Sequence, residues 1–258
     1  MSDTRKKEKY WAPPQTILKK IRSKEPIPAL ILFDIDGTLV ITPKVHNRAF
    51  IEAFKEVFGL DIKINWFSYS GRTDSWIISD IAIKNGISID QINRKLEAIM
   101  QSMSKWYAAN VNLENGQILP GVREFLQHCD EKGYLRGLVT GNLERIAFEK
   151  LKAYNLHSGF AVGGFGNEHM IREQLIKIAI QRSVQECHFK QNSDFSNVFY
   201  IADTPLDVIA ARAAQVNTII AYNGMNQKMD WKNAEPLLFV NSLKESDKIF
   251  EFIESSLK

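Results

Sequence analysis

The stretch Leu32-Phe33-Asp34-Ile35-Asp36-Gly37-Thr38-Leu39-Val40 decides the fold. It closes the apolar run "PALILFDID" (28–36), bounded by Pro28 and Gly37, which reads as a strand buried on both faces. Such a strand belongs in a covered parallel sheet. Two acids spaced i, i+2 at its end share a side if the strand runs straight, and they require a partner.

Four further runs repeat the pattern: "GYLRGLVTG" (133–141), "GFAVGG" (159–164), "NVFYIAD" (197–203) and "NTIIAYNG" (217–224), with "PLLFVNS" (236–242) as a sixth strand. Helical periods separate them, over 121–131, 143–154, 169–182 and 206–215, and a last helix is expected over 245–257. Strand then helix, repeated, predicts an α/β fold: a Rossmann-like parallel sheet with helices on both faces. Residues 187–196 are polar and read as a loop.

Residues 43–110 break this rhythm. Helical periods run over 45–58, 73–85 and 88–110, with no convincing strand. This is an all-helical insert, expected over the carboxyl edge of the sheet, where open α/β proteins bind ligands. The expected organisation is a basic leader (1–27), a first part of the core (28–42), the helical cap (43–112) and the rest of the core (113–258).

The chain has 258 residues, 45% hydrophobic and 24% charged, as in ordinary globular proteins. Two distant cysteines, Cys129 and Cys187, make neither a disulfide framework nor a spaced metal cluster. No apolar run reaches the roughly 20 residues of a membrane span, and the N-terminus lacks the apolar stretch of a secretory signal. A cytoplasmic protein is expected. Of 33 basic and 30 acidic residues, eight and two lie within 1–24, leaving 25 against 28 in the remainder. The basic leader offers charge to an anionic surface, but no basic and aromatic interleaving crosses the body, so a nucleic-acid partner is not expected. Tyr10, Trp11, Ile17 and Leu18 predict that part of the leader packs back onto the body.

If the strands are parallel neighbours, their ends bring together Asp34 and Asp36 from the first, Thr140 from the second, Arg172 beyond the third, and Asp203 and Asp207 from the fourth. Any one acid here suits a cap or turn. Jointly, converging carboxylates repel unless a hard cation joins them, and Mg²⁺ takes oxygen ligands together with phosphate and water.

These residues resemble the motifs of the haloacid-dehalogenase-like hydrolase superfamily, in its phosphatase branch. "DIDGT" (34–38) is similar to the first motif, "LVTGN" (138–142) to the second and "ADTPLD" (202–207) to the fourth. Arg172 in "FGNEHMIREQL" is the nearest match to the basic third motif, with Lys177 as the nearby alternative. The resemblance covers roughly 28–240.

It implies that Asp34 is the nucleophile, forming an aspartyl-phosphate, and Asp36 the general acid/base. It also implies that Thr140 and Arg172 hold the phosphoryl oxygens. Mg²⁺ would be bound by Asp34, Asp203 and the Asp36 backbone carbonyl, with Asp207 supporting that shell. Asp36 argues for phosphoryl chemistry over dehalogenation, because a halide leaves without a proton and an ester oxygen does not. The insert resembles the family's small helical cap, and "SGRTDSWI" (70–77) resembles a cap segment of phosphoglycolate phosphatases. Arg72, His46, Arg48 and Asn142 are the candidate substrate contacts. The implied substrate is a small phosphorylated metabolite, phosphoglycolate-like or a sugar phosphate. A phosphosugar mutase, or a silent binding protein on the same scaffold, stays open, and the oligomeric state is not legible.

Overall fold

Apolar strand runs alternating with amphipathic helices assemble as two layers of helices around one sheet. The computed structural model describes residues 10–42, 44–113, 115–223, 229, 231–232 and 234–258, so the leader's Arg5, Lys6, Lys7 and Lys9 lie outside the described residues. Helix α1 (Gln15–Ser23) precedes strand β1 (Leu30–Phe33) and the short β2 (Val40–Ile41). Helices α2 (Val45–Phe58), α3 (Asp74–Lys84) and α4 (Ile89–Asn110) form the cap. The core resumes with β3 (Gln117–Ile118), α5 (Val122–Glu131), β4 (Leu135–Thr140), α6 (Glu144–Ala153), β5 (Val162–Phe165) and α7 (Arg172–Cys187). It ends with β6 (Val198–Ala202), α8 (Pro205–Ala213), β7 (Asn217–Ala221), β8 (Leu238–Val240) and α9 (Ser246–Ser256).

The main sheet has the order β5-β4-β1-β6-β7-β8, with every neighbouring pair parallel. The chain leaves β1 to one side for β4 and β5, then returns to its other side for β6. That reversal opens a crevice at the carboxyl ends of the central strands. The two-residue period of β1 sorts its side chains: Ile31 and Phe33 enter one apolar layer with α5, α6 and α9, while Leu30 and Leu32 enter the other with α7 and α8. The cap has its own core, built on Phe50, Phe54, Ile78, Ile99, Met103 and Tyr107, to which Leu143, just before α6, and Ile146 within it contribute from below. The 22-residue α4 starts at a reciprocal capping box between Ser88 and Gln91.

Two elements go beyond the sequence reading. The antiparallel ribbon β2–β3 ties together the two passages between core and cap; two residues per strand leave no period to read. Helix α1 forms within the leader, where Ile17 is fully buried and Trp11 is nearly so, stacking on Phe165. Helix α7 also starts and ends later than the expected 169–182, placing Arg172 in its first turn.

Burial of Ile17 makes part of the leader a structural element of the core. Ile17→Ala is expected to cost about 2–4 kcal/mol in urea unfolding, and the half-buried Leu18→Ala distinctly less.

Candidate active site

The crevice is shaped first by a turn. After Phe33 the chain bends: the carbonyl of Ile35 accepts from the amides of Thr38, Leu39 and Val40. Gly37 has φ +81°, and a Cβ there would lie 2.1 Å from an Asp203 oxygen. Glycine is therefore required twice, for its backbone conformation and for the approach of β6 to this turn. The turn separates the two acids that a straight strand would have kept on one side.

Asp34 faces inward. It is buried, and its carboxylate lies with those of Asp203 and Asp207, with one oxygen of each within 4.8 Å of the others. Burial pushes the Asp34 carboxyl up to about 7; Arg172 opposes this, and Asp207 and Asp36 add to it. A hard, oxygen-seeking dication fits such a set. Asp34 and Asp203 would hold Mg²⁺ in this cluster, and it would supply charge neutralisation for a phosphoryl group.

Asp207 is already committed. One oxygen pairs with Arg172 at 3.0 Å and accepts from the Tyr200 hydroxyl at 2.8 Å, and the other accepts from the Thr204 amide and hydroxyl in the capping box of α8. Its support of the cluster runs through Arg172. That guanidinium is buried and lies 3.5 Å from Asp34, while its Nε donates to the carbonyl of Gly71 in the cap and its Nη1 to Tyr200. Despite burial, Asp207, Tyr200 and Asp34 hold Arg172 well above its ordinary pKa. Lys177 points outward to pair with Glu173, so Arg172, and not Lys177, is the cation beside Asp34.

Asp36 lines the same cleft. Its side chain is 40% exposed to the cleft, yet four donor contacts converge on its carboxylate. Lys150 Nζ reaches both oxygens at 2.7 and 2.8 Å, Asn142 Nδ2 donates to Oδ2 at 2.7 Å and the Thr42 hydroxyl to Oδ1 at 2.7 Å. Its enclosure disfavours charge, but the Lys150 ammonium, His46 and the hydrogen bonds from Lys150 and Asn142 outweigh this and hold the carboxyl down at about 2. Thr140, fully buried at the end of β4, accepts from Asn142 Nδ2 at 2.6 Å.

The cap closes over these groups through backbone contacts. The Asp74 amide donates to the carbonyl of Gly141 at 2.7 Å, and a Cβ on Gly141 would meet the Arg72 carbonyl at 2.3 Å. The buried Asp74 carboxylate then bonds His46 Nε2 at 3.0 Å and accepts from the Leu143 amide at 2.9 Å. A cleft of about 250 Å³ remains, lined by Asp34, Asp36, Thr140, Arg172 and Asp203 below and by His46, Phe50, Trp66 and Arg72 above. Arg72 is exposed and lies over the Trp76 ring, 4.5 Å from its centre. Arg48 is not brought to the cleft; it is on the outer face of α2, paired with Glu52.

The motif positions and the geometry agree with a direct comparison. The family model for haloacid dehalogenase-like hydrolases matches residues 31–221. The chain belongs to this family. Its fold is that of an aspartyl-phosphate-forming, Mg²⁺-dependent hydrolase, with a carboxylate cluster typical of the metal sites of these phosphatases. A phosphoglycolate phosphatase of Nitrosococcus oceani is 25% identical over 223 residues, covering 84% of this chain and 94% of that protein. Among solved structures, a predicted phosphatase from Clostridium acetobutylicum has a TM-score of 0.64 at 17% identity, covering 87% of this chain and 99% of its own. CbbY from Rhodobacter sphaeroides, in complex with xylulose-(1,5)-bisphosphate, has a TM-score of 0.66 at 17% identity, covering 84% and 95%. At such identities the structures speak for the fold.

Lys150 is the site residue that the motif reading missed. A signal was present: on α6 it occupies the stripe of Leu143, Ile146, Ala147, Leu151 and Tyr154, and a lysine on an apolar stripe calls for a buried anion.

In the metal-free chain, Asp36→Ala leaves the Lys150 ammonium without its anion and is expected to cost about 1–3 kcal/mol. The folded Asp36 carboxyl lies below its unfolded value, so the stability due to the pair is present above about pH 4 and is lost as pH falls toward 2. Urea unfolding of a double Asp36→Asn, Lys150→Met variant is expected to lose less stability over that range than wild type.

Proposed function

We propose that this hydrolase is a Mg²⁺-dependent phosphomonoesterase for a small phosphorylated metabolite. The observation that carries the reading is the placement of Asp34, Asp36, Thr140 and Arg172 around one capped cleft whose floor is a buried carboxylate cluster. Asp34 attacks phosphorus, and the ester oxygen leaves with a proton from Asp36. Water then attacks the aspartyl-phosphate while Asp36 takes its proton. Thr140 and Arg172 hold the phosphoryl oxygens, and the cap excludes bulk water during both steps. Bound Mg²⁺ would neutralise phosphoryl charge beside Asp34 and Asp203.

The cleft volume suits a compound of a few carbons rather than a polymer end. The relatedness to a phosphoglycolate phosphatase supports a substrate carrying a carboxylate, for which Arg72 is the cation on the cap side. The aromatic wall of Phe50 and Trp66, with His46 beside it, is equally able to receive a sugar phosphate.

A phosphate-release screen over phosphoglycolate, sugar phosphates and nucleoside monophosphates, with Mg²⁺ or with chelator, tests the reading. Release that depends on Mg²⁺ is expected for at least one of the small substrates; silence throughout, an aryl phosphate included, would sink it. Asp34→Asn is expected to lower turnover by about 10³-fold or more while keeping the unfolding midpoint near that of wild type. For a carboxylated substrate, Arg72→Ala is expected to raise KM about tenfold, and to change KM little for an aryl phosphate.

A further inference from the structure

The fully buried Lys150 has no place in the motif-based mechanism. Its ammonium spends all three donors inside the site: two on the oxygens of Asp36 and one, at 2.8 Å, on Asn142 Oδ1. An ammonium only donates, so the Asn142 atom facing it must be the carbonyl oxygen. That fixes the amide, whose nitrogen is left to donate to Asp36 Oδ2 and to Thr140 Oγ1. Thr140 Oγ1 thus accepts from Asn142. At Asp36, the contacts from Lys150, Asn142 and Thr42 all donate. These donors favour the carboxylate form, in which Asp36 enters the second half-reaction after giving its proton to the ester oxygen in the first.

We propose that Lys150 is a positioning residue for the second half-reaction: it holds Asp36 in the arrangement that takes a proton from the attacking water. In that step the water oxygen bonds to phosphorus, the bond between phosphorus and the Asp34 oxygen breaks with its electrons on Asp34, and the water proton passes to Asp36. Donors at fixed places set which edge of the 40% exposed carboxylate faces the cleft, and a fixed approach for the water is the geometric requirement for a general base. The proposal rests on the phosphatase reading.

The test uses 4-nitrophenyl phosphate with Mg²⁺ and the full chain. Nitrophenolate needs no proton on leaving, so its departure does not draw on Asp36, and kcat/KM reports only steps up to that departure. Lys150→Met is expected to lower kcat about 100-fold and to lower KM in parallel, with kcat/KM within about fivefold of wild type. A stopped-flow burst near one equivalent of nitrophenolate is expected to precede the slow turnover. A fall in kcat/KM as large as the fall in kcat, with no burst, would make Lys150 merely structural, and an unchanged kcat would make it idle. Either result overturns the proposal. Wild-type protein that releases no nitrophenolate would instead remove the phosphatase reading beneath it. Should Lys150→Met not fold, Lys150→Gln, which keeps a donor but no charge, is read by the same split.

Discussion

The compensation of buried negative charge is the constraint on which this structure depends. Asp34, Asp203 and Asp207 are buried together, and Asp36 is enclosed a short distance away. Isolated carboxylates in such surroundings take up protons or disrupt the fold. The chain answers with two buried cations that come from different helices and serve different acids. Arg172, from the first turn of α7, lies between Asp34 and Asp207. Lys150, from within α6, serves Asp36. The raised pKa of Asp34 and the lowered pKa of Asp36 are two sides of this arrangement: one acid lacks part of its counter-charge, and the other has it in full.

That asymmetry matches a division of labour in the site. The under-compensated cluster at Asp34 and Asp203 is where a dication adds stability. Asp36 lines the same cleft within reach of Lys150 of α6. Arg172 also ties the cap to the core by donating to the Gly71 carbonyl, and Asp74 of the cap bonds both His46 and the Leu143 amide at the start of α6. Closing the cleft and setting its charges are therefore one structural event.

The strands of the main sheet were legible because each carries an apolar run bounded by polar, glycine or proline residues, with Arg136 as an interruption in β4, and the cap because its three helices carry a clear 3.6-residue period. Asp34, Thr140 and Asp203 lie at strand ends, so a parallel sheet brings them together once its order is known. Arg48 shows where this reasoning stops. Its number places it near the hinge, but the rotation of α2 turns it to solvent, and rotation depends on what the helix packs against. Lys150 shows the opposite case: its position on an apolar stripe announced burial without naming a partner.

By itself the sequence determined the alternation of strands and helices, the helical insert and the set of acids and hydroxyl at the strand ends, because these follow from local periodicity and from where apolar runs stop. Only the tertiary structure decided which acid faces which cation. Asp36 and Lys150 are 114 positions apart, and Asp34 and Arg172 come from different layers. Such pairs are set by strand order, by the turn at Gly37 and by the packing of α6 and α7 on opposite faces of the sheet, none of which a local pattern encodes.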